Sequence, residues 1–273
     1  MWISKKEVEQ ISDFINGNIS YEEFDIRENK EGKINVLKND IYSLVRKKEE
    51  QIKELENERN ILSDYMADIS HQLKTPISSM MIMADLFEDA EPAKRDEFIR
   101  DIKFSLGKMD WLLGALLKMA KIDAGSIEFS KISVQVSELV DAVMPSVGIL
   151  LDINDQNISI KNDCLIHCDK RWTTEALTNI IKNAIEHADK ESTIEIDSGD
   201  NPMYNWISVK NTGVSLTKQQ YYKLFRRFEN STNENGFGIG MPLALSIIKG
   251  QGGDIDVDFD DDTGTKFVIK MFK

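Results

Sequence analysis

The sequence predicts an α+β protein in which a long helical region precedes a mixed α/β domain. Apolar residues recur at helical spacing from Ile34 to about Asp123. After Gly125 the period changes, and short strand-like runs alternate with helical ones. The chain of 273 residues is long enough for more than one core. We therefore expect three segments: a linker and coiled-coil helix at 1–57, a helical hairpin at 58–125 and an α/β domain at 126–273.

Composition excludes several classes of function. The formal net charge of -13 argues against nucleic-acid binding. No run of about 18 apolar residues predicts a membrane span, and no signal peptide opens the chain. The two cysteines lie in "CLIHC" as Cys164 and Cys168, with His167 between them. A zinc site would need a second ligand pair, so we interpret them as residues of a buried strand in a reducing cytosol.

A heptad-like apolar stripe opens the helical region and predicts a two-stranded coiled coil, and hence a homodimer. Polar residues interrupt it at Lys48, Gln51 and Glu58. A single solvated helix packed on its own domain is the alternative. The stripe comprises Ile34, Leu37, Ile41, Leu44, Leu55, Leu62 and Ile69.

Two long helices follow, the first to about Glu88 and the second from about Lys94 to Asp123. "EDAEPAK" between them predicts a turn, with Pro92 as a helix-start signal. Each helix has one apolar face that a lone hairpin cannot bury. Pairing with a second copy would make a dimeric four-helix bundle.

Beyond the hairpin, strands and helices alternate and end in a β-hairpin, which predicts an α/β sandwich. The predicted strands are Ser126–Val136, Ile158–Ile160, Cys164–Cys168, Thr193–Asp197, Trp206–Lys210, Ile255–Phe259 and Lys266–Met271. The predicted helices are Val136–Leu151, Lys170–His187, Lys218–Phe228 and Pro242–Gly250.

The stretch "DISHQLKTPISS" places a histidine on the polar face of the first hairpin helix. With Ile69 at zero on a helical wheel, the apolar residues fall within ~80°, whereas His71 lies at ~200° and Thr75 at ~240°. An exposed imidazole is largely neutral at pH 7, so one ring nitrogen is a free nucleophile. Pro76 removes a backbone donor and bends the helix just past the histidine. A surface histidine without a role is the alternative.

Three polar motifs of the second domain predict a nucleotide site. "GFGIG" at 236–240 precedes an apolar helix, and such glycine-rich helix starts favour phosphate. "NTG" at 211–213 makes a polar turn able to bond an adenine edge. "NIIKNAIEHA" puts Asn179 and Asn183 on one helix face, where amide oxygens suit Mg²⁺, although a plain polar face would look the same.

Taken together, the motifs resemble those of bacterial sensor histidine kinases of two-component systems, over about residues 60–273. "SHQLKTP" resembles the H box and "NIIKNAIEHA" the N box. "VKNTGVSL" and "GFGIGMPLA" resemble the two glycine boxes, and "KLFRRF" the phenylalanine box. "LLKMAKIDAG" resembles the end of the second bundle helix.

This resemblance implies a dimerisation and phosphotransfer hairpin joined to a Bergerat-type ATP-binding sandwich. His71 would take the γ-phosphoryl group of ATP and pass it to an aspartate of a response regulator receiver domain. Thr75 would position water to hydrolyse the regulator's phosphoaspartate. Asn183 would hold Mg²⁺ with Asn179 close by, and 229–235 would form a short lid. The remaining nucleotide contacts implied are Asn211 and Gly213 at the adenine, Gly236, Gly238 and Gly240 at the phosphates, and Phe225 and Phe228 as lid anchors.

The sequence departs from the family at four positions. Gln72 stands where Glu or Asp is usual, Asn211 replaces Asp, Ser215 replaces a glycine, and Glu186 stands where a basic residue is common. A degenerate kinase that acts as an ATP- or regulator-binding scaffold is therefore the alternative. Other ATPases of the superfamily, such as chaperones and DNA-repair ATPases, lack the histidine hairpin.

The first 57 residues resemble the cytoplasmic linker that follows a transmembrane helix. We expect the chain as given to be cytoplasmic and the natural protein to be longer and anchored in the cell membrane. A soluble kinase that begins here is the alternative.

Overall fold

A computed structural model of the chain describes residues 5–20, 24, 33–88, 90–213, 215–228, 238–259 and 264–273. It divides into two compact units, Met1–Ile69 and Ser70–Lys273. The helices are α1 Lys5–Ile15, α2 Lys33–Phe87, α3 Pro92–Asp123, α4 Val136–Asn154, α5 Lys170–His187, α6 Lys218–Leu224 and α7 Gly240–Gly250. The strands are β1 Ile132–Gln135, β2 Asn157–Ile160, β3 Leu165–Cys168, β4 Thr193–Asp200, β5 Tyr204–Asn211, β6 Gly253–Asp258 and β7 Thr265–Phe272.

The first unit contains α1 and the first part of α2. Phe14 and Phe24 are buried there, with their rings stacked 4.0 Å apart between centroids. Along α2 the leucines of the heptad-like stripe lie open: Leu44 is 66% exposed, Leu55 64% and Leu62 56%. At these three leucines the stripe therefore offers an apolar surface that the described residues leave exposed.

The second unit begins with the end of α2 and its connection to α3. Arg95 fixes this connection because its guanidinium donates to the carbonyl oxygens of Glu88 and Ala90, each at 2.8 Å. Pro92 occupies the first turn of α3, where a missing N–H costs nothing. The C-terminal half of α3 is buried at Leu112, Ala115 and Met119 and packs on α7.

In the described residues, a five-stranded sheet, a two-stranded antiparallel sheet of β1 and β3, and the helices α4 to α7 form the α/β domain. The strand order is β2-β4-β5-β7-β6, with β2 parallel to β4 and the other pairs antiparallel. Helices α4, α5 and α7 pack side by side, and α5 and α7 also contact the sheet. Burial alternates along β7: Phe267, Ile269 and Met271 are buried, so their side chains mark the face of the sheet that packs on the core. The predicted α+β fold is confirmed.

Two predicted elements extend at least four residues beyond the observed ones. The strand predicted from Ser126 begins only at Ile132, because the preceding backbone bonds a side chain instead of a strand: the Ser130 N–H donates to Asp169 Oδ2 at 2.9 Å. The helix predicted to Phe228 ends at Leu224, because the backbone leaves helical geometry at Phe225, with φ -101° and ψ 5°. Phe228, with a φ of 65°, lies in the left-handed region and cannot continue the helix.

The strand prediction for "CLIHC" agrees with the structure from Leu165 onward. In β3, Ile166 and Cys168 are buried while Leu165 and His167 are exposed. Both cysteines are free thiols, and burial raises the pKa of Cys168. Among the described residues, no group of three or more His, Cys, Asp or Glu side chains could hold a metal ion. No helix in the described part of the chain is long and apolar enough to cross a membrane.

Candidate functional site

His71 is displayed on the solvent side of α2. Both His71 and Thr75 are exposed, and the Thr75 hydroxyl donates to the His71 carbonyl oxygen at 3.4 Å. The helix continues through Pro76, which has no N–H to give to the carbonyl of Gln72. Gln72 itself is half-buried. His71 and Thr75 therefore lie on one exposed face of the helix, as the helical wheel predicts.

Helix α5 carries the paired asparagines and begins with a strong cap. Asp169 precedes it, and its Oδ1 accepts the N–H of Trp172 at 3.1 Å. The amide nitrogen of Asn179 donates to the Glu175 carbonyl at 3.0 Å, and its Oδ1 is directed towards the start of α7. A Cβ added to Gly240 would lie 2.9 Å from that oxygen, so α5 and the start of α7 meet here. Asn183, one turn further along α5, is half-buried.

The turn after β5 is held against the end of α5. Gly213 forms an antiparallel bridge with Ala188, and the Asp189 N–H donates to the Thr212 carbonyl at 3.0 Å. Gly213 has a φ of 136°, and a Cβ there would lie 2.5 Å from the His187 carbonyl oxygen. Only glycine allows this close approach. Helix α5 thus touches the N-terminus of α7 at Asn179 and the "NTG" turn at its own C-terminus.

Asn211 ends β5 and is almost completely buried, with 1% of its surface exposed. Its amide nitrogen donates to the Thr212 carbonyl at 3.3 Å. Its Oδ1 accepts no hydrogen bond from any residue that the structure describes. Because a buried acceptor without a donor is costly, this oxygen is suited to a ligand that brings an N–H group, such as the amino group of adenine.

Ser215 fastens the same turn to the sheet. Its hydroxyl donates to the Gly264 carbonyl at 2.8 Å and accepts the Gly264 N–H at 3.2 Å. Gly264 lies so close that an added Cβ would be 1.9 Å from the Asn211 carbonyl oxygen. Sequence reasoning treated Ser215 only as a departure from the family and missed Gly264, although a glycine next to the start of a strand was a visible signal.

The phenylalanine motif and the second glycine motif come together at the start of α7. Phe225 and Phe228 are partly buried against the hydrophobic core, and the Phe228 N–H donates to the Gly238 carbonyl at 3.1 Å. Gly238 has a φ of 65°. Gly236 and the predicted lid at 229–235 lie outside the described residues.

Helix α7 starts at Gly240 without a side-chain cap from the described residues, and Pro242 lies in its first turn. Its first backbone N–H groups and the helix dipole favour an anion, such as a phosphate, at this end. This uncapped N-terminus and the unpartnered oxygen of Asn211 both fit ATP.

Two ion pairs join the end of α3 to these nucleotide-binding elements. The Lys118 ammonium lies 2.9 Å from Glu175 on α5. The Arg227 guanidinium, between the two phenylalanines of the motif, lies 2.6 Å from Asp123 at the end of α3. Sequence analysis did not foresee either pair, since each links residues more than fifty positions apart.

Two sequence families match the chain. Residues 61–125 match the family described as "His Kinase A (phospho-acceptor) domain", and residues 168–273 match the one described as "Histidine kinase-, DNA gyrase B-, and HSP90-like ATPase". The two matches together cover more than half of the chain, in the order that the motifs predicted.

Curated relatives are similar over about two thirds of the chain. Sporulation kinase C of Bacillus subtilis is 28% identical over 186 residues, which are 66% of this chain and 42% of that protein. Sensor histidine kinase MtrB of Mycobacterium tuberculosis is 28% identical over 187 residues, 65% of this chain and 32% of that protein. The chain therefore spans less than half the length of these relatives.

Solved structures support the fold. Histidine kinase AdeS of Acinetobacter baumannii superposes with a TM-score of 0.61 at 17% identity, covering 74% of this chain and 97% of that one. Histidine kinase ThkA, solved in complex with response regulator protein TrrA, superposes with a TM-score of 0.64 at 20% identity, covering 83% and 66%.

Proposed function

Because the chain belongs to the sensor histidine kinases of two-component systems, we propose that it transfers the γ-phosphoryl group of ATP to His71 and then to an aspartate of a response regulator receiver domain. The observation that carries this proposal is the pairing, in one compact unit, of an exposed histidine with a buried acceptor oxygen on Asn211 that has no donor among the described residues. The first supplies a nucleophile and the second a place for adenine.

In the first step, a ring nitrogen of His71 forms a bond to the γ-phosphorus. The bond from that phosphorus to the β,γ-bridging oxygen breaks, and ADP leaves with the electron pair. The imidazolium that forms loses its ring proton. Gln72 can accept a hydrogen bond from the ring but cannot take this proton, so water must carry it away. Mg²⁺, which we assign to Asn183, neutralises phosphate charge when bound.

The nucleotide-binding residues of this chain hold ATP by three features. Asn211 accepts from the base. The N-terminus of α7, next to Asn179, offers backbone N–H groups to the phosphates. The Phe228 N–H bonds Gly238 and so keeps the two ends of the predicted lid together.

We also propose that the chain dephosphorylates its regulator. Thr75 is exposed one helical turn from His71, and its hydroxyl can orient a water molecule without touching the nucleophilic ring. Thr75→Ala should therefore slow loss of the phosphoryl group from the regulator's aspartate more than it slows labelling of His71. Equal losses in both assays would contradict this division of roles.

The proposed active form is a homodimer. Exposed apolar side chains occur along both hairpin helices, including Met81 at 62% and Leu117 at 63% exposure, as well as along the heptad-like stripe. Pairing two copies would cover these surfaces in a four-helix bundle and a coiled coil. The proposed membrane anchor of a longer natural protein stays a prediction.

Incubation with γ-labelled ATP and Mg²⁺, followed by acid or base treatment, tests the proposed reaction. We expect a label that acid removes and base does not, as for phosphohistidine. His71→Gln should abolish it. His167→Gln, which changes another exposed histidine, is the matched control and should keep it. A parent chain that binds ATP but takes no label would instead favour the scaffold alternative, and a label that persists in His71→Gln would refute the assignment.

A further inference from the structure

Gln156 is a buried polar residue for which the motifs of the sequence give no role. It lies between α4 and β2 and is 5% exposed. Its backbone is fixed by the end of α4, since its N–H donates to the Leu151 carbonyl at 2.9 Å and the preceding Asp155 has a φ of 53°. The side chain is thus held in one place by a left-handed helix ending.

The amide group of Gln156 faces three carbonyl oxygens at and after the end of α5. Its Nε2 lies 3.0 Å from the Asp189 carbonyl, 3.3 Å from that of Ile185 and 3.5 Å from that of Ala188. The last carbonyls of a helix have no partner within the helix, so these N–H groups satisfy them. The Oε1 of Gln156 is buried and accepts no hydrogen bond from the described residues. The position therefore uses only the donors of the amide.

The segment that Gln156 holds is the one on which the "NTG" turn rests. Ala188 pairs with Gly213, and the Asp189 N–H donates to the Thr212 carbonyl. Asn211 immediately precedes these residues. A chain of hydrogen bonds therefore leads from Gln156, through the end of α5, to the residue whose unpartnered oxygen faces the base in the proposed function.

We propose that Gln156 is a positioning residue of the nucleotide site, which sets the place of the adenine-binding turn relative to α5. It touches the 185–189 segment and acts on the nucleotide only through it. This inference rests on the proposed function, because it assigns Asn211 to the base. A donor suits this position because three oxygens converge on it. An apolar or acidic side chain would remove these hydrogen bonds, although the Asp189 carbonyl would keep the one from the Ser192 hydroxyl at 2.6 Å.

Titration calorimetry with a non-hydrolysable ATP analogue and excess Mg²⁺ tests the proposal. Gln156→Met keeps the length of the side chain and removes the donors. We expect its Kd for the analogue to rise by about fivefold to tenfold, the scale of one lost hydrogen bond. The stoichiometry should stay that of the parent, and the preference for the adenine analogue over its guanine counterpart should fall.

Gln251→Met is the matched control. Gln251 is another buried glutamine, 2% exposed, but it bonds Asp169 and Thr173 at the opposite end of α5. The Gln251→Met variant should have a lower melting temperature than the parent, with a Kd within about twofold of the parent value. If Gln156→Met does not fold, Gln156→Asn replaces it, because the shorter side chain withdraws the same amide from the Asp189 carbonyl.

The outcomes separate this inference from the proposed function. A parent chain that does not bind the ATP analogue would refute the nucleotide site, and the role of Gln156 with it. If the parent binds but the folded Gln156 variant has the same Kd, only the role of Gln156 is refuted. The role is likewise refuted if the Gln156 variant has a lower binding stoichiometry with an unchanged Kd, since this means only that fewer molecules are folded. It is also refuted if Gln251→Met raises Kd by the same factor.

Discussion

Gly213→Ala should lower the free energy of unfolding of the second unit and remove nucleotide binding, although it adds a single methyl group. The new Cβ would lie 2.5 Å from the backbone oxygen of His187, whereas real Cβ contacts essentially never fall below 3.0 Å. A backbone oxygen cannot rotate away as a flexible side chain would. The turn must therefore move by about half an ångström relative to α5.

The expected magnitude follows from two contributions. A φ of 136° is a region that alanine rarely adopts, which costs about 1–3 kcal/mol. Moving the turn also weakens the bridge to Ala188 and the bond from Asp189 to Thr212, at about 1 kcal/mol for a hydrogen bond. We expect the free energy of unfolding to fall by about 3 kcal/mol, with Asn211 displaced from the base site.

Urea unfolding and calorimetric titration with an ATP analogue measure the two effects. Gly148→Ala is the control, because Gly148 lies inside α4 with no atom within 4 Å of an added Cβ. There alanine should raise stability by about 0.5–1 kcal/mol through its helix propensity and leave binding unchanged. A Gly213→Ala chain that is as stable as the parent and binds the analogue with the parent Kd would refute the reasoning.

Three further predictions follow from other parts of the structure. Gln72→Glu should speed the labelling of His71 at saturating ATP by roughly tenfold, because a carboxylate can take the ring proton and offset its charge; an unchanged initial rate would contradict this. The backbone N–H and the hydroxyl of Ser137 donate to the Asp163 carboxylate at 2.9 and 2.7 Å, and these bonds lower its pKa. At pH values above the ordinary aspartate pKa, the carboxylate therefore stabilises the start of α4. It loses this effect as the pH falls through the lowered pKa. Asp163→Ala should thus lower the free energy of unfolding, measured in urea, by about 1 kcal/mol at pH 7 and by less at pH 3. An equal decrease at both pH values would contradict this. In the native chain a thiol reagent should modify Cys164 well before Cys168, whose pKa burial raises, and equal rates would contradict the buried placement.

Helix α5 is the element that organises the proposed site. It carries both asparagines and meets Gly240 through Asn179, and Ala188 directly after it supports the "NTG" turn. It is also tied to α3 through the ion pair between Lys118 and Glu175, whose backbone carbonyl accepts the amide of Asn179. The ion pair therefore connects α3 to the part of α5 that holds Asn179, a residue of the proposed nucleotide site.

The sequence by itself determined the elements and the polar motifs, because both are local properties of the chain. Apolar periodicity gave α5 its bounds of Lys170 and His187, and a helical wheel was enough to place His71 on an exposed face. Where local patterns met a tertiary constraint they were wrong: Ser130 bonds Asp169 and delays β1, and the left-handed Phe228 follows an early end of α6.

Only the tertiary structure decided which distant residues meet. Gln156 and Asp189 are 33 positions apart, and Ser215 and Gly264 are 49 apart. No periodicity or motif spacing records such a pair, because its geometry depends on how strands order in the sheet and how helices pack upon it. The unpartnered oxygen of Asn211 is a property of the same kind: the sequence supplied an amide, and its burial among described residues that give it no donor makes it the acceptor that we propose for the base.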